Sequence, residues 1–401
     1  MSIKNFHLLI LCITGYLAMA GGALLAPALP EMVVPLQTTA QATGLLMSVF
    51  TLSTAIFTLI LGHFIDRADR KKILIPSLVV YGLTGIISFF ISNFEHLLIL
   101  RFIQGIGVAG MMTLAFLIIG DSYRGYDSVQ AISKMSMALA IGAISAPLIG
   151  GGLAWYGWNY PFLFYAFSLP FALVVTVFLP ETRDKNQNVT NKGIKEAFSS
   201  LRKLPILCTI FMGFAIFFLL YSLIIYVPFM LKEAYGFSSV QSGLMLAIEG
   251  LAVVLLASRV RNLADRFSLI RVLIAGFLLV GLSLFCISFT DSIIAVFILL
   301  LLFGAGYGLA QTAIDAQIIY VSPTMSKGGI LSIHTCMKYL GMSLSPIVLG
   351  VILTISDLHT VFIICGIVGI FIALATYSVK NNFNFPVIQS VSDTKIQGSQ
   401  K

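Results

Sequence analysis

The sequence predicts an all-α membrane protein: twelve transmembrane helices in two pseudo-symmetric six-helix bundles. Three observations carry that reading. Of 401 residues, 58% are hydrophobic and 10% charged, with a mean hydropathy of +1.00, whereas soluble chains carry about 25% charged residues. Apolar runs of roughly 18 to 25 residues, the length an α-helix needs to cross about 30 Å of hydrocarbon, recur along the whole chain. One fixed offset of 199 residues superposes charged, glycine and proline positions of the second half on those of the first.

The predicted spans cover 7 to 29, 43 to 62, 73 to 92, 97 to 120, 131 to 152 and 160 to 179 in the first half. In the second they cover 205 to 230, 237 to 258, 271 to 290, 293 to 318, 329 to 355 and 358 to 378. The first imitates a secretory signal, with Lys4, an apolar stretch and Ala18-Met19-Ala20 as a cleavage site. Its apolar run continues to Leu29 and the repeat needs this helix, so it is read as retained. A tight charged connection joins spans 2 and 3. Span 4 opens on Arg101, and span 5 carries a glycine-rich stretch around Pro147. Trp155 and Trp158 follow, as indole rings do at a membrane interface. A loop rich in Lys, Asn and Ser separates six spans from six. The organisation is therefore an N-terminal bundle over 1 to 180, a cytoplasmic linker over 181 to 204, a C-terminal bundle over 205 to 379, and a disordered cytoplasmic tail over 380 to 401.

The offset aligns Asp66 with Asp265, Arg67 with Arg266, Gly105 with Gly304 and Gly107 with Gly306. It also aligns Gly142 with Gly341, Pro147 with Pro346 and Gly151 with Gly350. Biased composition yields glycine matches at any offset, but not two charged residues and a proline at equivalent span positions. Two bundles related by an axis along the membrane normal place a substrate site between them near mid-membrane, with access alternating as one rocks against the other.

With both termini cytoplasmic, all but three of the 24 Lys and Arg lie on the cytoplasmic side; Arg101 and Lys338 are inside spans and Lys232 is external. That asymmetry sets the orientation in the cell membrane. Glu31, Glu95, Glu233, Asp291 and Asp357 mark the external ends. The net charge of +8 is dispersed over short loops, which excludes a nucleic-acid face. Cys12, Cys208, Cys286, Cys336 and Cys365 fall inside predicted spans without metal-ligand spacing, so they read as buried apolar residues, with neither disulfide nor metal site expected. The chain has no P-loop, no HExxH and no carboxylates at catalytic spacing, so no enzyme, no cofactor and no ATP-driven transport are expected. Gly105 to Gly110 follow no strand and are not a nucleotide fingerprint.

Three stretches carry a family likeness. Gly62-His63-Phe64-Ile65-Asp66-Arg67-Ala68-Asp69-Arg70-Lys71-Lys72 resembles the loop signature of the major facilitator superfamily, with Asp69 where the family usually has glycine. Arg101-Phe102-Ile103-Gln104-Gly105-Ile106-Gly107 matches its second signature. Gly142-Ala143-Ile144-Ser145-Ala146-Pro147-Leu148-Ile149-Gly150-Gly151 is similar to its antiporter signature, with Ala146 replacing a glycine. The resemblance is closest to the drug:proton antiporters with twelve spans. It implies that Gly62, Asp66, Arg67, Arg70 and Asp121 form a cytoplasmic latch and that Arg101 takes part in proton coupling. It further implies that Gly142, Ala146, Pro147, Gly150 and Gly151 make the kinked, closely packed helix of an exporter. Independently of the family, Gly62 allows close helix approach and Asp66 suits the positive end of the next helix. The second copy, Leu263-Ala264-Asp265-Arg266, is degenerate.

An arginine inside a span costs about 2.5 to 3.5 kcal/mol at mid-membrane, so it faces a partner or water, or snorkels to the interface. Glu249, Asp315, His334 and Lys338 are the other ionisable groups well inside spans. Glu249 lies nearest mid-membrane and is the first choice for the proton or cation site. His334 and Lys338 share one helical face. Asp315 either bridges to Lys338 structurally or meets substrate. Phe211, Phe214, Phe217, Tyr221 and Tyr226 of span 7 could stack on a flat or cationic substrate, or face lipid.

The function expected is proton-coupled export of small amphipathic or cationic compounds by a functional monomer in the lipid bilayer. The alternative is export of an endogenous metabolite such as a siderophore or amphoteric metallophore, for which interior charges of both signs are suited. A non-transporting receptor or scramblase is a third class.

Overall fold

The computed structural model describes residues 3–64, 69–123, 126–182, 199, 201–323 and 327–380. Among them there is no strand, and twelve helices are long and apolar enough to cross a membrane. Spans 1 to 6 are Asn5–Met32, Ala40–Leu61, Arg70–Phe90, Phe94–Ser122, Tyr126–Ala154 and Tyr160–Phe178. Spans 7 to 12 are Leu204–Tyr235, Ser239–Ala257, Leu269–Ile287, Ile293–Val321, Gly328–Ile355 and Leu358–Val379. An even number of spans puts Ile3 and Lys380 on one face, the termini face; the opposite face is called the far face.

Helix packing obeys the 199-residue offset. Span 4 packs on spans 2 and 3 as span 10 packs on spans 8 and 9, and spans 1 and 5 pair as spans 7 and 11 do. The halves join where span 5 runs along span 8 and span 2 along span 11, two contacts that are mates of each other. The apolar core is accordingly a pair of six-helix bundles joined chiefly at four helices.

Several helices outrun their apolar stretches because polar caps, not hydrophobicity, set their ends. Asn93 Oδ1 accepts from the His96 N–H at the start of span 4. Ser238 and Gln241 form a capping box on span 8. Span 7 continues through Pro228 to Tyr235, where Gly236, in the left-handed region at φ 67°, closes it.

Span 1 departs from its prediction. It is α-helical to Ala23, turns, and finishes as a 3-10 turn, Ala26–Ala28, and a short helix, Leu29–Met32. Pro27 and Pro30, which lack an N–H and favour the first turn of a helix, restart it twice. This tip is fully buried from Leu24 to Pro30 and wedged against spans 5, 7 and 8.

An eight-residue helix, Val260–Phe267, lies between spans 8 and 9, where only a degenerate loop was expected. It is too short and too polar to register as an apolar run. Not all cysteines are core residues either: Cys336 and Cys365 are buried and Cys12 and Cys208 half-buried, but Cys286 is exposed near the far end of span 9. The span 7 aromatics divide likewise, Phe211 facing outward while Phe217, Tyr221 and Tyr226 are buried.

Candidate functional site

Three polar groups lie inside the bundles. The first is built around Arg101, which is fully buried rather than snorkelling. Its Nε donates to the Leu46 carbonyl at 3.1 Å, and its Nη1 donates to Gln104 Oε1 at 2.6 Å and to the Tyr165 hydroxyl at 3.4 Å. The guanidinium lies 4.0 Å from the centroid of the Phe50 ring. Gln104 donates on to the Tyr81 carbonyl, and Tyr81 and Tyr165 donate to the carbonyls of Leu17 and Gly21. Charge-assisted hydrogen bonds of about 1.5 to 3 kcal/mol and a desolvated cation–π contact of about 2 kcal/mol offset the burial of the charge. No carboxylate among the described residues pairs with it, and Nη2 is buried without a partner.

The second group joins spans 10 and 11. Asp315 Oδ1 accepts from Lys338 Nζ and is 3.3 Å from His334 Nε2, and Oδ2 accepts from Gln311 at 3.3 Å. Lys338 Nζ also lies 5.3 Å from the centroid of the Phe217 ring. His334 is buried and Lys338 half-buried, whereas the Asp315 side chain is 40% exposed. The i, i+4 spacing of His334 and Lys338 brings both onto one carboxylate.

Glu249 of span 8 stands apart. Its side chain is buried, and Oε1 has no hydrogen-bond partner among the described residues. Tyr307 interacts electrostatically with Glu249, Asp315 and Tyr221, and its ring packs edge-on against Phe217 at 5.8 Å and face to face with Phe303 at 6.5 Å. Tyr221 in turn interacts with Arg101 and donates across the bundle boundary to the Gly22 carbonyl at 3.2 Å. Tyr221 thereby links the two halves in the interior.

At the termini face, Arg70 Nε meets Asp121 Oδ2 at 3.1 Å. The helix of span 3 begins at Arg70, and Glu181, after span 6, accepts from the Arg70 and Lys71 N–H groups at 2.9 and 3.2 Å. Glu181 thus meets the positive end of this helix, the role that the sequence also suggests for Asp66. Gly62 falls in the last turn of the helix Leu45–Phe64, and Asp66 and Arg67 lie outside the described residues.

The close approaches between the halves lie toward the far face. A Cβ at Gly151 would overlap the Ser239 carbonyl oxygen, and one at Gly243 the Pro147 carbonyl. Ser239 Oγ donates to the Gly151 carbonyl at 3.2 Å. On the mate contact, Gln41 donates to the Leu353 carbonyl at 3.3 Å, and a Cβ at Gly44 would sit 3.0 Å from Pro346 Cβ. Lys232 Nζ, the lone cation of that face in the sequence reading, pairs with Glu31 Oε2 at 2.8 Å and fixes the tip of span 1 to span 7. Within the N-terminal half, Gly150 abuts the Leu24 carbonyl, and Gly142 and the fully buried Ala146 keep the same side of span 5 small. Nearer the termini face the contrast is sharp: from Tyr126 to Met137 only Ala131 and Met135 of span 5 are buried, and Tyr126, Val129, Ile132 and Met137 are exposed. The close contacts between the bundles lie toward one side of the membrane, and span 5 is exposed toward the other.

The sequence profile described as Major Facilitator Superfamily matches residues 11–314 and 225–384. The chain belongs to that superfamily. A relative described as the bacillibactin exporter of Bacillus subtilis (strain 168) is 29% identical, over 90% of this chain and 94% of its own. The multidrug resistance protein MdtG of Escherichia coli O17:K52:H18 (strain UMN026 / ExPEC) is 26% identical, over 94% of each chain. Among solved structures, a bacterial homolog to the human lysosomal transporter Spinster, inward-facing and occupied, aligns with a TM-score of 0.82 at 16% identity, covering 96% of this chain and 99% of that one. The nucleoside transporter NupG aligns with a TM-score of 0.75 at 16% identity, covering 96% and 100%. These two likenesses establish the fold of a major facilitator transporter and nothing about cargo.

Sequence reasoning missed Glu181, Tyr165, Tyr307 and the Glu31–Lys232 pair. Tyr307 carried a usable signal, standing one residue after Gly306 in the repeat of the Arg101 signature. The others are joined only by tertiary packing.

Proposed function

We propose that the chain is a secondary active transporter that exports small amphipathic or cationic compounds across the cytoplasmic membrane in exchange for protons. Its single pathway lies between the bundles over 1 to 180 and 205 to 379, so one chain suffices, with the segments 181 to 204 and 380 to 401 as cytoplasmic linker and tail. The observation that carries the reading is Glu249. A buried carboxylate with an unpartnered oxygen must have its charge met by a proton or a cation. It sits on span 8, one of the four helices at which the halves chiefly join. The positive-inside distribution makes the termini face cytoplasmic, so the side on which span 5 is exposed is the one from which an exporter loads. Rocking the halves opens the Gly151–Ser239 seam and closes the cytoplasmic ends. Proton arrival at Glu249 from outside and substrate departure then share one conformational change, and the Arg70–Asp121 pair with Glu181 serves as the latch of the cytoplasmic side. Span 5, with Gly142, Ala146, Pro147, Gly150 and Gly151, supplies the small, kinked surface along which the halves separate. Asp315, His334 and Lys338 face the cytoplasmic approach as a substrate-contacting group.

A second reading, export of an endogenous metabolite such as a siderophore or amphoteric metallophore, is favoured by the unpaired Arg101 in one half and the unpaired Glu249 in the other, charges that together suit a zwitterion. The name of the Bacillus subtilis relative points the same way.

Purified protein in liposomes, given a panel of dyes, drugs and metallophores, is expected to move substrate only when a pH gradient is imposed. Transport indifferent to the gradient would refute antiport, and a receptor or scramblase would show that indifference. The substrate classes separate in cells: deletion that leaves dye and drug tolerance unchanged while a metabolite accumulates inside selects the second reading.

A further inference from the structure

The four arginines around the eight-residue helix Val260–Phe267 have no role in the transport reading, and their surroundings differ from those of the equivalent basic cluster in the first half. There acids meet two of the basic side chains and a helix end: Asp121 meets Arg70, Asp69 meets Lys72 at 2.8 Å, and Glu181 meets the N-terminus of span 3. Applying the 199-residue offset, Asp121 becomes Tyr320, Glu181 becomes Lys380 and Arg70 becomes Leu269. The second half has lost both acids, one of them to a cation, yet has kept or gained Arg259, Arg261, Arg266 and Arg271. All four are exposed, and none is in an ion pair among the described residues, although Asp265 lies in the same helix.

The helix is amphipathic and lies at the edge of the bilayer. Val260 is buried, and Leu263 packs on the core formed with spans 9 and 10. Arg259, Arg261, Asn262, Asp265 and Arg266 point outward. Phe267 is 46% exposed, with the Arg266 guanidinium 5.3 Å from its ring centroid. Arg271 stands in the first turn of span 9. A short helix with an apolar side against the membrane-embedded core, an exposed aromatic at its end and an arginine-rich outer side is built to lie at headgroup depth. Four cations at the end of a span, without protein acids, attract anionic lipid. The bidentate geometry of guanidinium favours phosphate over solvated counter-ions.

We propose that Arg259, Arg261, Arg266 and Arg271 form a binding surface for the phosphate headgroups of anionic phospholipids in the leaflet at the termini face. The lipid phosphates take the place of the two acids that the first half holds at Asp121 and Glu181. They tie the loop between spans 8 and 9 to the bilayer surface.

The test is retention of phosphatidylglycerol by the full chain, reconstituted in nanodiscs of mixed phosphatidylglycerol and phosphatidylcholine, extracted in mild detergent and weighed by native mass spectrometry. Each arginine near an anionic surface contributes about fivefold in affinity. Replacing all four by glutamine is therefore expected to lower phosphatidylglycerol retention more than tenfold relative to phosphatidylcholine, and replacing all four by lysine to keep most of it. A charge-reduced control, Lys134→Gln with Arg202→Gln and Lys203→Gln, removes exposed cations of the same face and is expected to change retention by less than about fivefold, a bound set by about one residue's worth of attraction. Equal loss in this control would mean diffuse charge and overturn the proposal, as would unchanged retention in the glutamine variant. Inorganic phosphate that displaces the lipid completely would assign the site to a free anion instead. If the glutamine variant does not fold, wild-type protein still decides: retention must fall as salt rises to about 1 M, where screening acts within about 3 Å. Salt-independent retention refutes a headgroup site.

Discussion

The far-face seam between spans 5 and 8 can be perturbed by one methyl group. In Gly151→Ala the new Cβ overlaps the Ser239 carbonyl oxygen and comes within 3.1 Å of the Ser239 carbonyl carbon and 3.3 Å of Val240 Cα. All three are backbone atoms of the other half, so no rotamer change relieves them and the bundles must move apart. Overpacking of this kind costs about 1 to 3 kcal/mol. It applies only while the seam is shut. At about 2 kcal/mol the ratio of shut to open conformers falls roughly thirtyfold. Gly152 supplies the control, because a Cβ there meets nothing within 4 Å. Gly152→Ala keeps the seam and gains up to about 1 kcal/mol of helix propensity. The reporter is a cysteine at Ala28, which is fully buried in the tip of span 1, in a chain whose five native cysteines are replaced by serine. A membrane-impermeant maleimide added at the far face is expected to label it more than tenfold faster in Gly151→Ala and at the parental rate in Gly152→Ala. Parental labelling in both, with the fold intact, would show that this seam does not close the pathway and would remove the geometric basis for an inward-loading exporter.

Three further substitutions address the interior charges. Glu249→Gln is expected to lower gradient-driven transport more than tenfold while leaving thermal stability near that of the parent, since an uncharged isostere lacks the cost of a buried carboxylate; unchanged transport and pH dependence in liposomes would eliminate Glu249 as the proton site. Asp121→Asn removes the charge that Arg70, 8% exposed, meets at 3.1 Å, so a loss of about 1 to 3 kcal/mol, seen as a lower melting temperature, is expected; an unshifted melting curve would contradict a latch held by that pair. Asp315→Asn strands the Lys338 ammonium and, because the pair is partly exposed, is expected to destabilise by about 1 to 2 kcal/mol, whereas the double variant with Lys338→Met recovers most of that. Transport by the double variant decides the role: recovery makes Asp315 a structural partner, and a folded but inactive protein makes it a substrate contact.

The architecture was legible because its cause is one-dimensional. Length and apolarity specify a span, and a duplicated sequence specifies a duplicated packing, so the offset that pairs Pro147 with Pro346 also pairs the contact of spans 2 and 11 with that of spans 5 and 8. The His334 and Lys338 grouping was legible through helical periodicity, and an Asp315–Lys338 bridge through charge; the contact of Asp315 with His334 appears only in the fold. Arg101 was found by its cost, but its surroundings were not, because two of its partners, the Leu46 carbonyl and the Tyr165 hydroxyl, arrive from other spans. Glu181 escaped because an acid after a span is an ordinary loop residue until the fold brings it to the start of span 3. The tip of span 1 escaped for a related reason: its apolar residues satisfy a spanning helix as well as they satisfy a wedge, and only Pro27 and Pro30 distinguish the two.

That wedge constrains how the chain can be assembled. Its partners on spans 5, 7 and 8 are synthesised long after it: Glu31 waits for Lys232, and the Gly22 carbonyl for the Tyr221 hydroxyl. Span 1, made before its partners, is therefore among the last to finish folding. Until the second half arrives, residues 24 to 30 form an apolar segment with two prolines and no neighbour from spans 7 and 8. Expressed alone, the first six spans would carry this segment uncovered, and co-expression of the second half in trans would be needed to cover it.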